Sequence, residues 1–485
     1  MSTCKAIQIL CESPVAYKYP AEKSAVFYLT TAIRNSFRNP IFCYTAFNCI
    51  CNFTHNNDRH REYVINDKYN NTVIGYIIEG MNKFRYSEDD VTKNHHCEKV
   101  QISACLALQN LAANESGRQL IGNDGVEAVL DGFIAHVENN LVISAALGTL
   151  INLCAFEKNA THFIQNDGIN YLLTYLQNPT ENMDGSSALT TTKIKITICR
   201  ILRNISLEKN TAEKLCEREE LDDVITSLLI NADYATELFY EVVKFVNALI
   251  TTLQSGGFNK NLNQLMSNLC ERNLFNILVD ALEMDYDIEL ETNKYITEIN
   301  AQIAAIINSY VLSKDTDIKN IIFEQADQYD PESFIPSKLI QASFVTPSAS
   351  LTYYTNSIFF NCMDAQINNI EIKNILVDVG ILDYCLENTA WYQSPQVNDN
   401  AIALGMGIIL CYLQVWYTEH QKYSVNNPLQ CDWDLKKYKK AIENFNNYIK
   451  TQKINVTKSQ QLKQTQPKLE QFIKAIPVLL KKYGN

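Results

Sequence analysis

The sequence predicts an all-α chain of stacked helical repeats, and three observations carry that expectation. Glycine and proline are scarce, 15 and 11 in 485 residues. Tight turns are therefore few, which favours helices over many short strands. The stretch LQNLAANESGRQLIGNDG, residues 108–125, is written again as LINLCAFEKNATHFIQNDG, residues 150–168. Their marker asparagines, Asn110 and Asn152, stand 42 residues apart, a period that belongs to helical repeat arrays.

Within each unit the apolar pattern is that of one helical face. Ala104, Leu108 and Leu111 surround Asn110 as Ala146, Leu150 and Leu153 surround Asn152. The small alanine admits a neighbouring helix and the larger side chains fill the space beyond. An earlier copy holds Ala46, Ile50, Asn52 and Phe53, each 100 residues before its counterpart. A fourth copy is marked by Asn204, with Ile198, Leu202 and Ile205 on its face. Asn247, Asn308 and Asn361 are candidate later markers at irregular spacing. The excess length is expected in inserted loops, at Asn178–Lys193 and Asp330–Ser350. The Asn-Asp-Gly triplets are expected to end a short helix, with Gly125 and Gly168 in the left-handed conformation. Residues 1–40 are expected to cap the array with helices. Repeats fill 41–330, clear to about residue 230 and degenerate after, with further degenerate repeats over 331–430. A basic amphipathic helical tail occupies 431–485.

Composition narrows the function classes. Hydrophobic residues make up 46% and charged residues 20%, an ordinary soluble balance. An odd count of 15 cysteines, many inside apolar runs, fits reduced thiols acting as small hydrophobes. No apolar run reaches the roughly 18–20 residues that a membrane span needs. The net charge is −12, yet residues 436–485 carry +10 and the rest −22. An acidic body of this kind is not a general nucleic-acid binder. The tail alone suits an acidic protein surface.

The repeat is similar to the armadillo repeat family. VQISACLALQNLAANESGRQLIGNDGVEAVLDGFIAH and VISAALGTLINLCAFEKNATHFIQNDGINYLLTYL carry the resemblance, and residues 41–77 and 194–229 carry it more loosely. It implies an all-α, right-handed superhelical armadillo/HEAT-like α-solenoid with three helices per repeat. The third helix of each would line a groove that holds partner proteins. The family's groove asparagine falls on Asn52, Asn110, Asn152 and Asn204. An amide carries donors and an acceptor and can clamp an extended peptide backbone. The plainer reading is that these amides bond neighbouring backbone. The importin-type tryptophan, four residues before each asparagine, is replaced by Asn48, Leu106, Gly148 and Arg200, which argues against nuclear import.

No phosphate loop, dinucleotide fingerprint, HExxH or CxxC pattern is present. His95, His96 and Cys97 are adjacent and point apart on a helix. Cys51, His55 and His60 are better explained by packing. No enzyme activity, cofactor or metal is expected. Lys436, Lys437, Lys439 and Lys440 lie opposite Leu435, Tyr438 and Ile442 in the tail, either as a cap or as a partner-binding arm. The expected function is a scaffold or adaptor that binds proteins through groove, loops and tail. In a chain rich in Asn, Ile, Tyr and Lys, as from an AT-rich genome, the resemblance points to a cytoplasmic subunit of a large cytoskeletal assembly, ciliary or axonemal. The alternative is a soluble adaptor or regulator of a signalling GTPase or transport pathway.

Overall fold

A computed structural model describes residues 37–66, 71–87, 91–177, 188–234, 236–282, 295–313, 335–345 and 348–363, with residues 30, 31, 33, 34, 380, 381, 384, 385, 404, 405, 407 and 408. Every regular element among them is a helix. The chain divides into two compact units, Met1–Ala232 with Lys244–Asn261, and Asp233–Val243 with Leu262–Asn485.

The first unit contains α1 (Pro40–Thr54), α2 (Asp58–Asn66), α3 (Asn71–Lys83), α4 (Val91–Leu111), α5 (Glu115–Ala135), α6 (Asn140–Leu153), α7 (Glu157–Gln165), α8 (Gly168–Gln177), α9 (Ala188–Ser206), α10 (Lys209–Cys216) and α11 (Leu221–Ile230). A repeat is a short first helix, a second helix and a longer third helix. Thus α2, α3 and α4 form one repeat, and α7, α8 and α9 another. Each helix packs on its counterpart one repeat away. The third helices stack as α1, α4, α6 and α9, and the first helices as α5, α7 and α10. This is a solenoid: no repeat closes its own core, and each neighbour supplies the missing wall.

The repeated face forms the seam. Ala46, Ala104 and Ala146 are fully buried, as are Leu108, Leu111, Leu150, Leu153, Ile198, Leu202 and Ile205. Asparagine also starts the helices. Asn39, Asn114 and Asn139 each accept a backbone N–H from the first turn of α1, α5 and α6, at 2.9, 2.8 and 3.0 Å.

The junction between first and second helices differs from expectation. Gly125 and Gly168 are not left-handed. In α5 the break falls at Gly122, with φ 54° and ψ −154°, a region open only to glycine. At the next junction Asp167 takes the left-handed conformation, with φ 59°. The two triplet glycines serve packing instead. A Cβ on Gly125 would meet Ile121 at 2.1 Å, and one on Gly168 would meet the Phe163 ring at 2.4 Å. Only glycine lets that side chain lie across the start of the second helix. The turn at Ser255–Phe258 does use a left-handed glycine. Gly257 has φ 79°, with Phe258 N–H bonded to Leu253 O at 3.1 Å, a Schellman end.

Helices α12 (Glu237–Gly256) and α13 (Asn259–Glu271) draw residues from both units. The second unit also holds α14 (Leu274–Leu282), α15 (Ile296–Val311), α16 (Ile335–Val345) and α17 (Ala349–Met363). Fully buried Tyr310 of α15 donates to Met266 O at 2.9 Å and meets the Phe275 ring edge-on at 4.7 Å. The expected loop Asp330–Ser350 instead contains α16 and the start of α17. Pro336 sits in the first turn of α16, where its missing N–H costs nothing. The expected loop Asn178–Lys193 is likewise shortened, because α9 begins at Ala188. The tail and most of residues 1–40 lie outside the described residues.

Two expectations follow from this packing. Ala104→Leu and Ala146→Leu should each destabilise by roughly 1–3 kcal/mol through overpacking. Urea midpoints read this, and two neutral results would remove these alanines from the helix contact. The second concerns alkaline pH. Burial pushes the Cys105 thiol up to about 12, against a hydrogen bond from Thr149. Burial, with Glu217 beside it, raises Cys216 to about 12. Burial likewise takes Cys43, despite the opposing charge of Lys83, to about 11. An unfolded thiol ionises near pH 8.5. The folded chain therefore holds these protons longer. Their contribution is complete below about pH 8.5 and is lost as pH rises toward 11–12. Denaturation midpoints should fall between pH 9 and 10.5, and less steeply in Cys105→Ala; an identical slope would rule out this origin.

Candidate partner-binding face

The third helices are joined by a ladder of side-chain amides. Asn110 Nδ2 donates to Cys51 O at 2.9 Å, Asn152 Nδ2 to Gln109 O at 3.0 Å, and Asn204 Nδ2 to Ile151 O at 2.9 Å. Each acceptor is the carbonyl one residue before the previous asparagine. The plainer reading of these residues therefore holds for one N–H of each amide. The Oδ1 of Asn110, Asn152 and Asn204 makes no bond among the described residues, and all three side chains are half-buried. Asn52 stands first in the row and makes no such bond among the described residues.

Other polar groups tie the repeats from inside. The Thr149 hydroxyl lies 2.8 Å from Cys105 O, and Asn159 Nδ2 donates to Arg118 O at 3.0 Å. Buried Gln101 donates to Met81 O and Phe84 O, both at 2.9 Å, closing the end of α3. Gly132 leaves room for it, since a Cβ there would lie 2.6 Å from Gln101 Oε1. His136 Nε2 donates to Arg85 O at 2.6 Å. These residues were not legible as contacts in the sequence. Their partners lie 17–51 residues away, and no motif announces them.

Helical register places three rows across α4, α6 and α9, because residues four and eleven apart share a face. The ladder row is Asn110, Asn152 and Asn204. Four residues earlier stand Leu106, Gly148 and Arg200. Eleven residues earlier stand Lys99, Leu141 and Lys193. Leu141 is 71% exposed and Lys193 is exposed. The Lys99 ammonium lies 5.7 Å from the Tyr44 ring centroid. At Gly148 the row has no side chain, and the Gln109 amide lies 3.1–3.3 Å from where a Cβ would sit. The face thus carries half-buried amides, an apolar centre on α6 and cations on either side.

Nothing on it resembles a reactive centre. Burial pushes the half-buried Cys51 thiol up, while the Asn110 amide, 3.5 Å away, pulls it down. A raised thiol is a poor nucleophile. His60 Nδ1 donates to Phe53 O at 2.7 Å, and its ring stacks on Phe53 at 4.2 Å. His95 is exposed beside Glu98, whereas Cys97 is buried, so the adjacent trio points apart. No three His, Cys, Asp or Glu side chains among the described residues converge on a metal position. No helix among them is long and apolar enough to cross a membrane. Lys436, Lys437, Lys439 and Lys440 lie outside the described residues. Asn247 accepts from Thr251 at 3.2 Å, and Asn361 bonds Ser357 O in its own helix at 2.8 Å. Asn308 is 7% exposed, and its Oδ1 has no partner.

Removing one rung should cost stability. Asn152→Ala leaves the Gln109 carbonyl without its donor, a loss of about 1 kcal/mol for a half-buried bond. Asn52→Ala breaks no rung among the described residues and should lie within about 0.5 kcal/mol of the parent. Equal midpoints for the two variants in urea would show that the ladder carries no stability.

No protein-family model matches the chain, and no curated protein matches it in sequence. Solved structures do match. The chain is similar to SYS-1 in its crystal complex with POP-1, at 12% identity over 97% of this chain and 80% of that one, with a TM-score of 0.63. It is similar to SYS-1 alone at 11% identity over the same shares, with a TM-score of 0.62. SYS-1 is an armadillo-repeat protein. At such identity the likeness concerns the fold, and the fold is an all-α solenoid of armadillo type.

Proposed function

We propose that this protein is a non-enzymatic armadillo scaffold or adaptor that holds partner proteins along the face of α1, α4, α6 and α9. The observation that carries this reading is the ladder. Three amides repeat in register, each fixed through one N–H and each presenting an Oδ1 at a half-open surface. Fixed acceptors in register suit the N–H groups of an extended chain, whose polar groups recur whatever its sequence. Preorganisation matters here, because amides already held by the fold lose little freedom on binding. The fold likeness supports the same reading, since SYS-1 is seen in complex with POP-1.

The narrower reading is a cytoplasmic subunit of a large cytoskeletal assembly, ciliary or axonemal. What supports it is the charge of the tail: residues 436–485 carry +10, suited to an acidic protein surface. The soluble adaptor or GTPase regulator is the alternative. Fractionation of cells expressing the full chain separates them. The assembly reading expects the protein in the detergent-insoluble cytoskeletal pellet, with Gly148→Tyr shifting at least tenfold more into the supernatant. A parent protein that is already soluble favours the regulator. Equal pelleting of parent and Gly148→Tyr would remove the third-helix face as the partner site.

A further inference from the structure

We infer that one edge of the first unit pairs with the same edge of a second copy of this chain. The edge is formed by the turns that lead from second to third helices, and its pairing does not depend on the partner face proposed above. It lies at the far end of the third helices from the amide ladder. Leu141 and Leu189 stand eleven and fifteen residues before Asn152 and Asn204, about 16 and 22 Å along α6 and α9.

Exposed apolar side chains collect on this edge. Nine large hydrophobic residues are exposed among the described residues. Single ones scattered over a surface need no explanation. Five of the nine are not scattered. Tyr86 leads into α4, Val137 and Leu141 into α6 and Leu189 into α9, while Ile230 ends α11, each between 40% and 71% exposed. Counterpart helices stack one repeat apart, so these four turns fall on one edge in chain order. The opposite edge, where third helices lead into first helices, exposes one large apolar side chain among the described residues of this unit, Leu207. The turns into α4 and α6 are also held in place. Asn139 Oδ1 accepts from the Leu141 and Val142 N–H groups at 3.0 and 3.3 Å. The Tyr86 ring meets the buried His136 ring at 5.7 Å, and His136 Nε2 donates to Arg85 O at 2.6 Å, so the two turns are tied to each other. An apolar row that is already fixed loses little freedom on binding.

Spacing and charge select the partner. Packed helices stand about 8–10 Å apart, so four turns extend over roughly 24–30 Å. A partner must offer apolar groups at the same interval, and a second copy of this edge does. A two-fold axis between the α6 and α9 turns reverses the order of the row. Val137 and Leu141 of one copy then meet Leu189 of the other, and Tyr86 meets Ile230. Charge agrees with that register. Glu138 is exposed in the turn into α6, and Lys193 is exposed in the first turns of α9. The axis brings Glu138 of each copy to Lys193 of the other, which makes the edge complementary to itself. A lipid surface would accept the apolar row but gains nothing from a carboxylate at its centre.

The test is sedimentation velocity on the full chain. The parent should pass from monomer to dimer as concentration rises through the micromolar range. Leu141→Glu/Leu189→Glu should raise the dimer dissociation constant at least tenfold and still melt with the parent, because both side chains are exposed. Leu207→Glu, on the opposite edge, should dimerise as the parent does. Glu138→Lys and Lys193→Glu should each weaken the dimer, since like charges then meet twice. An equimolar mixture of these two variants should recover it, because the mixed dimer again has two opposite pairs. A parent that stays monomeric, or a dimer indifferent to Leu141→Glu/Leu189→Glu, would overturn the inference. A mixture that dimerises no better than either variant alone would rule out the two-fold pairing. A monomeric parent that floats with phosphatidylcholine vesicles, and ceases to in Leu141→Glu/Leu189→Glu, would assign the edge to a lipid surface instead.

Discussion

The hydrogen bond from each third-helix asparagine to the carbonyl just before the previous one governs the geometry of the first unit. Ridges of apolar side chains packed into grooves can dock at more than one register along a neighbouring helix. A directional bond near the end of each third helix removes that freedom. Asn110, Asn152 and Asn204 each choose the same acceptor in the repeat before. With register fixed there, the alanines meet the facing helix at the same depth in each step. The three rows of side chains across α4, α6 and α9 then follow.

The fold was legible because repetition writes the same physical demand more than once. The buried Ala, Leu and Ile positions around the four asparagines could be named from spacing alone, and all of them lie in the core. The geometry of the candidate face was legible only in outline. The marker asparagines identified the face, but not that one N–H of each is spent within the fold. That bond depends on a carbonyl 43 to 59 residues away, and a backbone group has no identity in a sequence. The glycines misled for a related reason. Gly125 and Gly168 look like helix-ending glycines, yet their need is space for Ile121 and Phe163. Lack of a side chain and freedom of backbone angle are two properties of one residue, and the letter does not say which is used. Asp330–Ser350 was expected as a loop, yet Pro336 within it stands in the first turn of a helix, where proline is well tolerated.

In the second unit the ladder has no documented rung among the described residues. Asn361 bonds within its own helix, and Asn308 is buried with its oxygen unsatisfied. The repeat pattern fades beyond Asn204 while the helices continue through α12 to α17. Tyr310, donating to Met266 O across helices, does there with a ring and a hydroxyl what an amide does in the first unit.

The ladder also bears on how stability and recognition share the same atoms. A side chain that only stabilised could be fully buried, and one that only bound could be fully free. Asn110, Asn152 and Asn204 are half-buried and half-committed: one N–H holds the fold, and the oxygen remains at the surface. Orientation of that oxygen is set before any partner arrives, so binding need not order the side chain. The same commitment limits what these residues can specify. In the proposed role, an amide fixed by its neighbour would read backbone, which every peptide has. Selectivity must then come from the rows beside it, where side chains vary from helix to helix. Leu106, Gly148 and Arg200 differ in size and charge at equivalent positions, as do Lys99, Leu141 and Lys193. On the proposed reading the invariant row would supply register and the variable rows choice, so that such a face could change its partner without disturbing the bonds that hold it together.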